Sequence, residues 1–405
     1  MSAGFLDEAR RLDLVAWRRD LHRHPELAFA EVRTAEIVAR HLRELGFAVT
    51  TGVAKTGVVG LLNGGKPGPV VMLRFDMDAL PVAEENTHEF VSETPGVMHA
   101  CGHDGHVAIG IGTAALLARH RDELAGSVKL VFQPGEEGAG GAQAMIEAGA
   151  LDDPRPEVAL GLHIASVIPS GTVAAGAGPV MASGQVFRAT ITGRGGHGGM
   201  PDQSVDALLA AAHAVTTLQS IVSRNVRPTD AAVVSVCTFR AGTSHNVIAE
   251  RAELIGTIRT FEESTREVVV RRVREIIEGT ARTFGAEAEV TFNAPLPAVV
   301  NDAAVAACVR AAAARVVGAE RVSAEQRWTA SEDMARYLRE VPGCFFFLGG
   351  ARTPEEKPHH NPRFDFDEAV LAQGVAIMCE TVAELCNPRE RATAADAGRG
   401  TGSLP

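Results

Sequence analysis

The chain has 405 residues, 39 basic against 50 acidic for a net charge of −11, and 46% hydrophobic against 22% charged residues. That length suits two domains, or one large domain with an insertion, and the mixture excludes wholesale disorder. The acidic balance, without any Lys/Arg run, excludes a nucleic-acid partner, which needs a basic face. No apolar stretch approaches the ~20 residues of a membrane span, so no membrane partner is expected. Residues 1–10 lack the apolar core of a signal peptide and read as the start of a cytoplasmic protein. The 41 Gly and 20 Pro follow no repeat. The six cysteines, at 101, 237, 308, 344, 379 and 386, are scattered and imply no disulfide framework. Five read as packed thiols in apolar surroundings, and Cys101 stands apart.

Residues 12–45 read as helix, broken near His24-Pro25, with Ala35, Val38, Leu42 and Leu45 on one 3.6-period stripe that Gly46 ends. Strand-like runs follow at 47–53, 57–62 and 69–75. The last is almost continuously apolar, as in a strand buried on both faces. A helix at 107–120, a strand at 128–132, a helix at 141–147 and a strand at 158–163 continue the alternation, which predicts α/β with a mostly parallel sheet. The pattern changes near 176–183. From there it reads strand 186–192, helix 204–223, strands 232–240 and 251–259, helix 263–284 and strand 288–292. That order is βαββαβ, the ferredoxin-like split unit. Helices at 303–317 and 332–339, a strand at 344–349 and a helix at 367–386 resume the first pattern. The expected organisation is a discontinuous catalytic domain, residues 1–183 and 295–388, with a mostly parallel sheet and helices on both faces. A βαββαβ insert at 184–294, whose open sheet edges are suited to dimerisation, interrupts it, and the Gly/Ala/Arg/Thr-rich tail 389–405 is expected to be disordered.

Ligand-type residues collect where active sites of parallel sheets lie, after the carboxyl ends of strands. They are Asp76 and Asp78, the segment from His99 through Cys101 to His103, Glu136-Glu137, His163, and His359-His360. One Asp, one His or one pair of Glu would be ordinary turn or core chemistry. Cys-x-His asks for more. In an extended segment residues i and i+2 project to one side, so Cys101 and His103 can meet one borderline-soft ion such as Zn²⁺. Adjacent glutamates point in different directions, so one can bind metal while the other serves as general base. This many donors exceeds one tetrahedral ion, which suggests two metals roughly 3.5–4 Å apart.

These segments carry a resemblance. The runs Arg23-His24-Pro25-Glu26, Arg74-Phe75-Asp76-Met77-Asp78-Ala79-Leu80-Pro81, Gly96-Val97-Met98-His99-Ala100-Cys101-Gly102-His103-Asp104 and Phe132-Gln133-Pro134-Gly135-Glu136-Glu137 resemble the M20 metallopeptidase family. They are similar in particular to its amidohydrolase branch of hippurate, N-acyl-amino-acid and auxin-conjugate hydrolases. Gly195-Gly196-His197, Gly242-Thr243-Ser244-His245-Asn246, Gly256-Thr257-Ile258-Arg259 and Ser331-Glu332-Asp333 agree, so the likeness spans roughly residues 12–385. It implies Cys101, His103, Glu137, His163 and His360 as ligands of two divalent ions (Zn, Mn, Co or Ni). It also implies Glu136 as general base and Asp78 as the residue that orients the site. His197 and Asn246 would hold the scissile carbonyl, typically in a partner subunit's site, and Arg259 would grip the substrate carboxylate. Asp76 fills the place of a family histidine and is not assigned as a ligand. Two departures stand out: Asp202 follows Pro201 where the branch commonly has His, and Phe75 stands where it often has Ala. The implied activity is hydrolysis of N-acyl amino acids or small dipeptide-like amides by a homodimer or dimer of dimers.

Three other readings compete. Gly193–Gly198 fits G-x-G-x-x-G, but Met200-Pro201 separates the last glycine from the helix, with Pro201 read as a first-turn proline. A cysteine hydrolase using Cys101 with His103 or His99 leaves Glu136, Glu137, His163 and His360 without a role. A dipeptidase or carboxypeptidase, or a non-catalytic binding protein, could use the same site.

Overall fold

The computed structural model describes residues 4–386, so the tail expected at 389–405 lies outside the described residues. The chain forms two compact units. One takes the chain up to Gly178, Asn301–Gln326, and the chain from Arg336 onward. The other takes Pro179–Val300 and Arg327–Ala335. The expected insert at 184–294 lies inside the second unit, which also gathers the 327–335 segment.

The first unit is built on an eight-stranded sheet. Its order is Ala48–Val53, Gly57–Asn63, Ala125–Gln133, Lys66–Asp76, Val158–Pro169, Gly343–Ala351, Val173–Ala174 and Val322–Ser323. The four central strands, 125–133, 66–76, 158–169 and 343–351, are mutually parallel. The antiparallel pairs lie toward the edges. From Val71 to Asp76 every residue is buried. Successive side chains in a strand point to opposite faces, so both faces of this strand are covered. The helix His103–Arg119 has 15 of its 17 residues buried; beyond its polar first turn it is apolar on every side, as a buried helix must be. The helix Val370–Leu385 packs beside it. Phe75, an apparent departure near the site, is buried against Phe132 at 5.3 Å between ring centres and serves packing.

The helix Leu14–Arg23 docks on the start of helix His103–Arg119 through charge. Arg18 is fully buried and donates to Asp104 at 2.8 Å, Asp365 at 2.9 Å and Glu368 at 3.1 Å. His22 Nδ1–H donates to the same Asp104 oxygen at 2.8 Å. A buried guanidinium is tolerable only when its donors are paired in this way.

The second unit has an antiparallel sheet in the order Ala232–Ala241, Arg251–Thr260, Ser183–Thr192, Glu287–Phe292. Its helices Ala207–Leu218 and Glu263–Thr283 cover one face. Burial alternates along Arg251–Thr260, the mark of a sheet with one face packed. Ala207, Ala210, Ala211, Ala214 and Leu218 make the contact stripe of the first helix. Pro201 belongs to a separate 3-10 turn, Pro201–Gln203, and does not open the helix. Asp206 caps it instead, accepting from Leu209 N–H. Cys237, expected to be a packed thiol, is exposed, because it lies on the edge strand; Cys344, Cys379 and Cys386 are buried and Cys308 is half-buried. No described helix is long and apolar enough to cross a membrane.

Candidate metal centre

Three of the parallel strands bring Asp76–Asp78, Pro134–Glu137 and His163 to one place; Cys101 and His103 come from the turn into helix His103–Arg119, and His359 and His360 from the loop after strand Gly343–Ala351. Asp76 pairs in register with Gln133, so the segments that follow, Met77-Asp78 and Pro134–Glu137, leave the sheet side by side. They are tied together: Met77 N–H donates to Gln133 O at 2.9 Å, and Glu137 N–H to Asp78 Oδ2 at 3.0 Å. His163 was expected at a strand end. The strand in fact runs on to Pro169, and His163 lies two residues beyond Gly161, the last residue paired with strand 66–76.

The Cys101–His103 pair forms differently from the extended segment expected. Gly102 takes the left-handed conformation at φ 90°, and His103 is the first residue of its helix, four residues earlier than the pattern suggested. A side chain at 102 would be strained there. The turn still brings the two donors together. Cys101, His103 and Glu137 form one group whose ligand atoms lie within 4.8 Å of one another, and Cys101, His163 and His359 form another. His360 Nε2 lies 3.2 Å from Glu137 Oε1. Four of the five expected ligands therefore meet around Cys101, and the fifth, His360, touches Glu137.

The hydrogen bonds set which ring nitrogens are available. His103 Nδ1–H donates to Asp78 O at 2.8 Å, so in the neutral ring Nε2 carries the lone pair. That nitrogen is buried without a hydrogen-bond partner. His163 Nδ1–H donates to Ile164 O at 2.7 Å, and its Nε2 faces Cys101 Sγ at 3.4 Å. An imidazole held at one nitrogen by a carbonyl, with the other turned toward sulfur and carboxylate, is the pattern of a metal ligand. The charges agree. Burial opposes a proton on His103, but Asp76 and Asp78 outweigh it and raise the ring to about 10, so the surroundings favour positive charge at this point. Burial, Glu137 and Glu136 push the Cys101 thiol well up. That is the reverse of an activated cysteine nucleophile, whose thiolate needs positive surroundings. A divalent cation is what would hold this sulfur as thiolate.

Asp76 is occupied elsewhere. Its Oδ1 accepts from His106 Nδ1–H at 2.6 Å and its Oδ2 from Arg74 at 2.5 Å. His106 Nε2 in turn accepts Ile164 N–H at 2.9 Å. Both nitrogens of His106 are committed, so it braces the site. Sequence reasoning missed His106 and the inward turn of His359. The signal for His106 was its i+3 spacing from His103 on a helix; His359 had none beyond its neighbour.

In the second unit, Gly196–His197 pairs antiparallel with Val247–Ile248, and Gly198 N–H donates to Asn246 O at 2.8 Å. His197 and Asn246 are thereby neighbours, both exposed. Gly199 N–H donates to His197 Nδ1 at 3.0 Å, which leaves the proton of the neutral ring on Nε2. Arg259 is half-buried on strand Arg251–Thr260, opposite Gly184. Among the described residues no carboxylate lies within ion-pair distance of it. A Cβ at Gly184 would stand 3.0 Å from its Nη1, so the glycine makes room for the guanidinium.

The sequence profile of peptidase family M20/M25/M40 matches residues 72–384. The chain belongs to this family. As an M20 member it is a metal-dependent hydrolase of amide bonds. It is 42% identical over 384 residues to the N-acetylcysteine deacetylase of Bacillus subtilis (strain 168), covering 93% of this chain and 99% of that one. It is 44% identical over 297 residues to the N-acyl-L-amino acid amidohydrolase of Geobacillus stearothermophilus, covering 73% and 80%. Among solved structures, the YXEP protein of Bacillus subtilis, described as a dinuclear metal-binding peptidase of the M20 family, superposes with a TM-score of 0.81 at 37% identity, covering 94% of this chain and 98% of that one. The grouping of donors around Cys101 is consistent with a centre of that kind.

Proposed function

We propose that this M20 enzyme cleaves N-acyl amino acids to a carboxylic acid and a free amino acid. Two divalent ions (Zn, Mn, Co or Ni) would be held by Cys101, His103, Glu137, His163 and His360. The observation that carries the reading is Cys101, shared by two donor groups and flanked by imidazoles whose tautomers are set for ligation. The names of the similar deacetylase and amidohydrolase support the substrate class.

When bound, the ions polarise the scissile carbonyl and ease deprotonation of water. The protein's own groups do the rest. Asp78 fixes His103 through its main-chain carbonyl and Glu137 through its carboxylate. Glu136 takes a proton from the attacking water and returns it to the leaving amine nitrogen. His197 Nε2–H and the Asn246 amide donate to the developing oxyanion. Arg259 pairs with the substrate carboxylate. We further propose that the segment 184–294 acts as lid and dimerisation domain, and that in a homodimer His197 and Asn246 serve the partner subunit's centre; their exposure supports this.

A panel of N-acetyl, N-benzoyl and indole-acyl amino acids beside dipeptides, assayed with each of the four ions, tests the substrate class. Acyl amino acids should be turned over and Glu136→Gln should lower kcat by about 10²–10⁴-fold while substrate still binds. Efficient cleavage of dipeptides alone would make the enzyme a dipeptidase or carboxypeptidase. Unchanged turnover in Glu136→Gln would remove Glu136 as base.

A further inference from the structure

His359 lies in the same group as Cys101 and His163, and by proximity alone it could be a sixth ligand. Its hydrogen bonds argue otherwise. Ser166 N–H, a donor that cannot reverse, points at His359 Nε2 at 3.3 Å. That nitrogen is the acceptor, so the proton of the neutral ring sits on Nδ1. Nδ1 faces Cys101, 3.7 Å from its Sγ and within hydrogen-bonding reach of its main chain. A protonated nitrogen cannot bind a metal, but it can donate to a sulfur that does. His163 shows the opposite arrangement, with its proton turned to Ile164 O and its bare nitrogen turned to the same sulfur.

The loop around His359 is built to hold this orientation. Ser166 Oγ–H donates to Lys357 O at 2.8 Å, so one residue of strand Val158–Pro169 anchors the loop twice. His360 N–H donates to Ala100 O at 2.8 Å, beside Cys101. His360 has φ 66°, uncommon for a residue with a side chain. That turn sends adjacent histidines different ways, His359 to the sulfur and His360 to Glu137. The ring of Phe364, 5.1 Å away, packs against His359.

We propose that His359 is a positioning residue of the metal centre: it donates Nδ1–H to the Cys101 thiolate, fixes the direction of the sulfur and draws charge from it, and is not itself a ligand. This rests on the reading of Cys101 as a metal ligand. A hydrogen bond to a ligating sulfur lowers the energy of its lone pairs and so tunes the ion it binds.

Cobalt(II) replaced into the enzyme reports on this through the near-ultraviolet sulfur-to-cobalt charge-transfer band. In His359→Phe the band should move to longer wavelength with the cobalt content per chain unchanged, and kcat should fall roughly tenfold. His359→Asn, whose amide nitrogen can replace Nδ1, should restore the wild-type band. Loss of a cobalt equivalent in His359→Phe would make His359 a ligand and overturn the proposal, as would a band that does not move. Absence of the band from the wild type would instead overturn Cys101 as ligand, and the role of His359 with it. Nitrogen-15 NMR of the zinc-loaded wild type needs no substitution: it should show a proton on His359 Nδ1, and a proton on Nε2 with Nδ1 bare overturns the proposal.

Discussion

Arg259 is a half-buried guanidinium with no carboxylate among the described residues within ion-pair reach, which fits the proposed grip on the substrate carboxylate. Its strand neighbour Gly184 leaves the space, and burial lowers the arginine's pKa without threatening its charge. A charge-assisted pair is worth about 1.5–3 kcal/mol, so Arg259→Ala should raise KM for N-acyl amino acids by roughly 10–100-fold. Steady-state kinetics on the corresponding amides, which lack the carboxylate, should show little change. Equal losses on both would make Arg259 structural. Residue by residue, the candidate donors were legible because Cys, His, Asp and Glu gather near the carboxyl ends of parallel strands, and the resemblance to the M20 family picked five of them out. What was not legible was the bracing. His106 and His359 carry the same side chain as the ligands, and only the direction of Ile164 N–H and Ser166 N–H separates their work from that of His103 and His163.

The helix His103–Arg119 shows where reading by pattern stops. Its apolar run begins at Val107, so periodicity placed the start there. The first turn is polar because it is committed: His103 to the centre, Asp104 to Arg18 and His22, His106 to Asp76. Burial disfavours the charge on Asp104, but Arg18 and His22 outweigh it and hold the carboxyl well below its usual range. His22 is moved the other way, raised by Asp104 against the cost of burial. Breaking a buried pair of this kind costs about 3–5 kcal/mol. The share due to Asp104 is full above the ordinary carboxylate value of 3.8 and is lost as pH falls through its depressed pKa. The share due to His22 is full below the ordinary imidazole value of 6.5 and is lost as pH rises through its raised pKa. Denaturant unfolding of wild type against Asp104→Asn should therefore show the widest gap between pH 3.8 and 6.5, narrowing on either side. A gap independent of pH would mean that packing, and not this charge network, joins helix Leu14–Arg23 to helix His103–Arg119.

Over the whole molecule, the alternation of strand and helix was enough to predict the parallel centre of the large sheet, and the switch to βαββαβ matches the order seen in the small one. The short pairings were invisible: Gly196–His197 with Val247–Ile248 is two residues long, below any periodicity, yet it sets His197 beside Asn246. The 327–335 segment joined the second unit for the same reason, since isolated contacts such as Met181 with Trp328 leave no pattern in sequence. Everything proposed about the chemistry depends on one claim, that the donors around Cys101 hold the metal that makes this chain a hydrolase. The direct measurement is hydrolysis of an N-acyl amino acid by enzyme stripped with a chelator, verified metal-free by elemental analysis, and then returned to Zn²⁺, Mn²⁺, Co²⁺ or Ni²⁺. Activity should disappear with the metal and return as about two equivalents per chain are bound, and Cys101→Ser should recover far less of it. Full activity in the verified metal-free protein, or full recovery in Cys101→Ser, would contradict the claim.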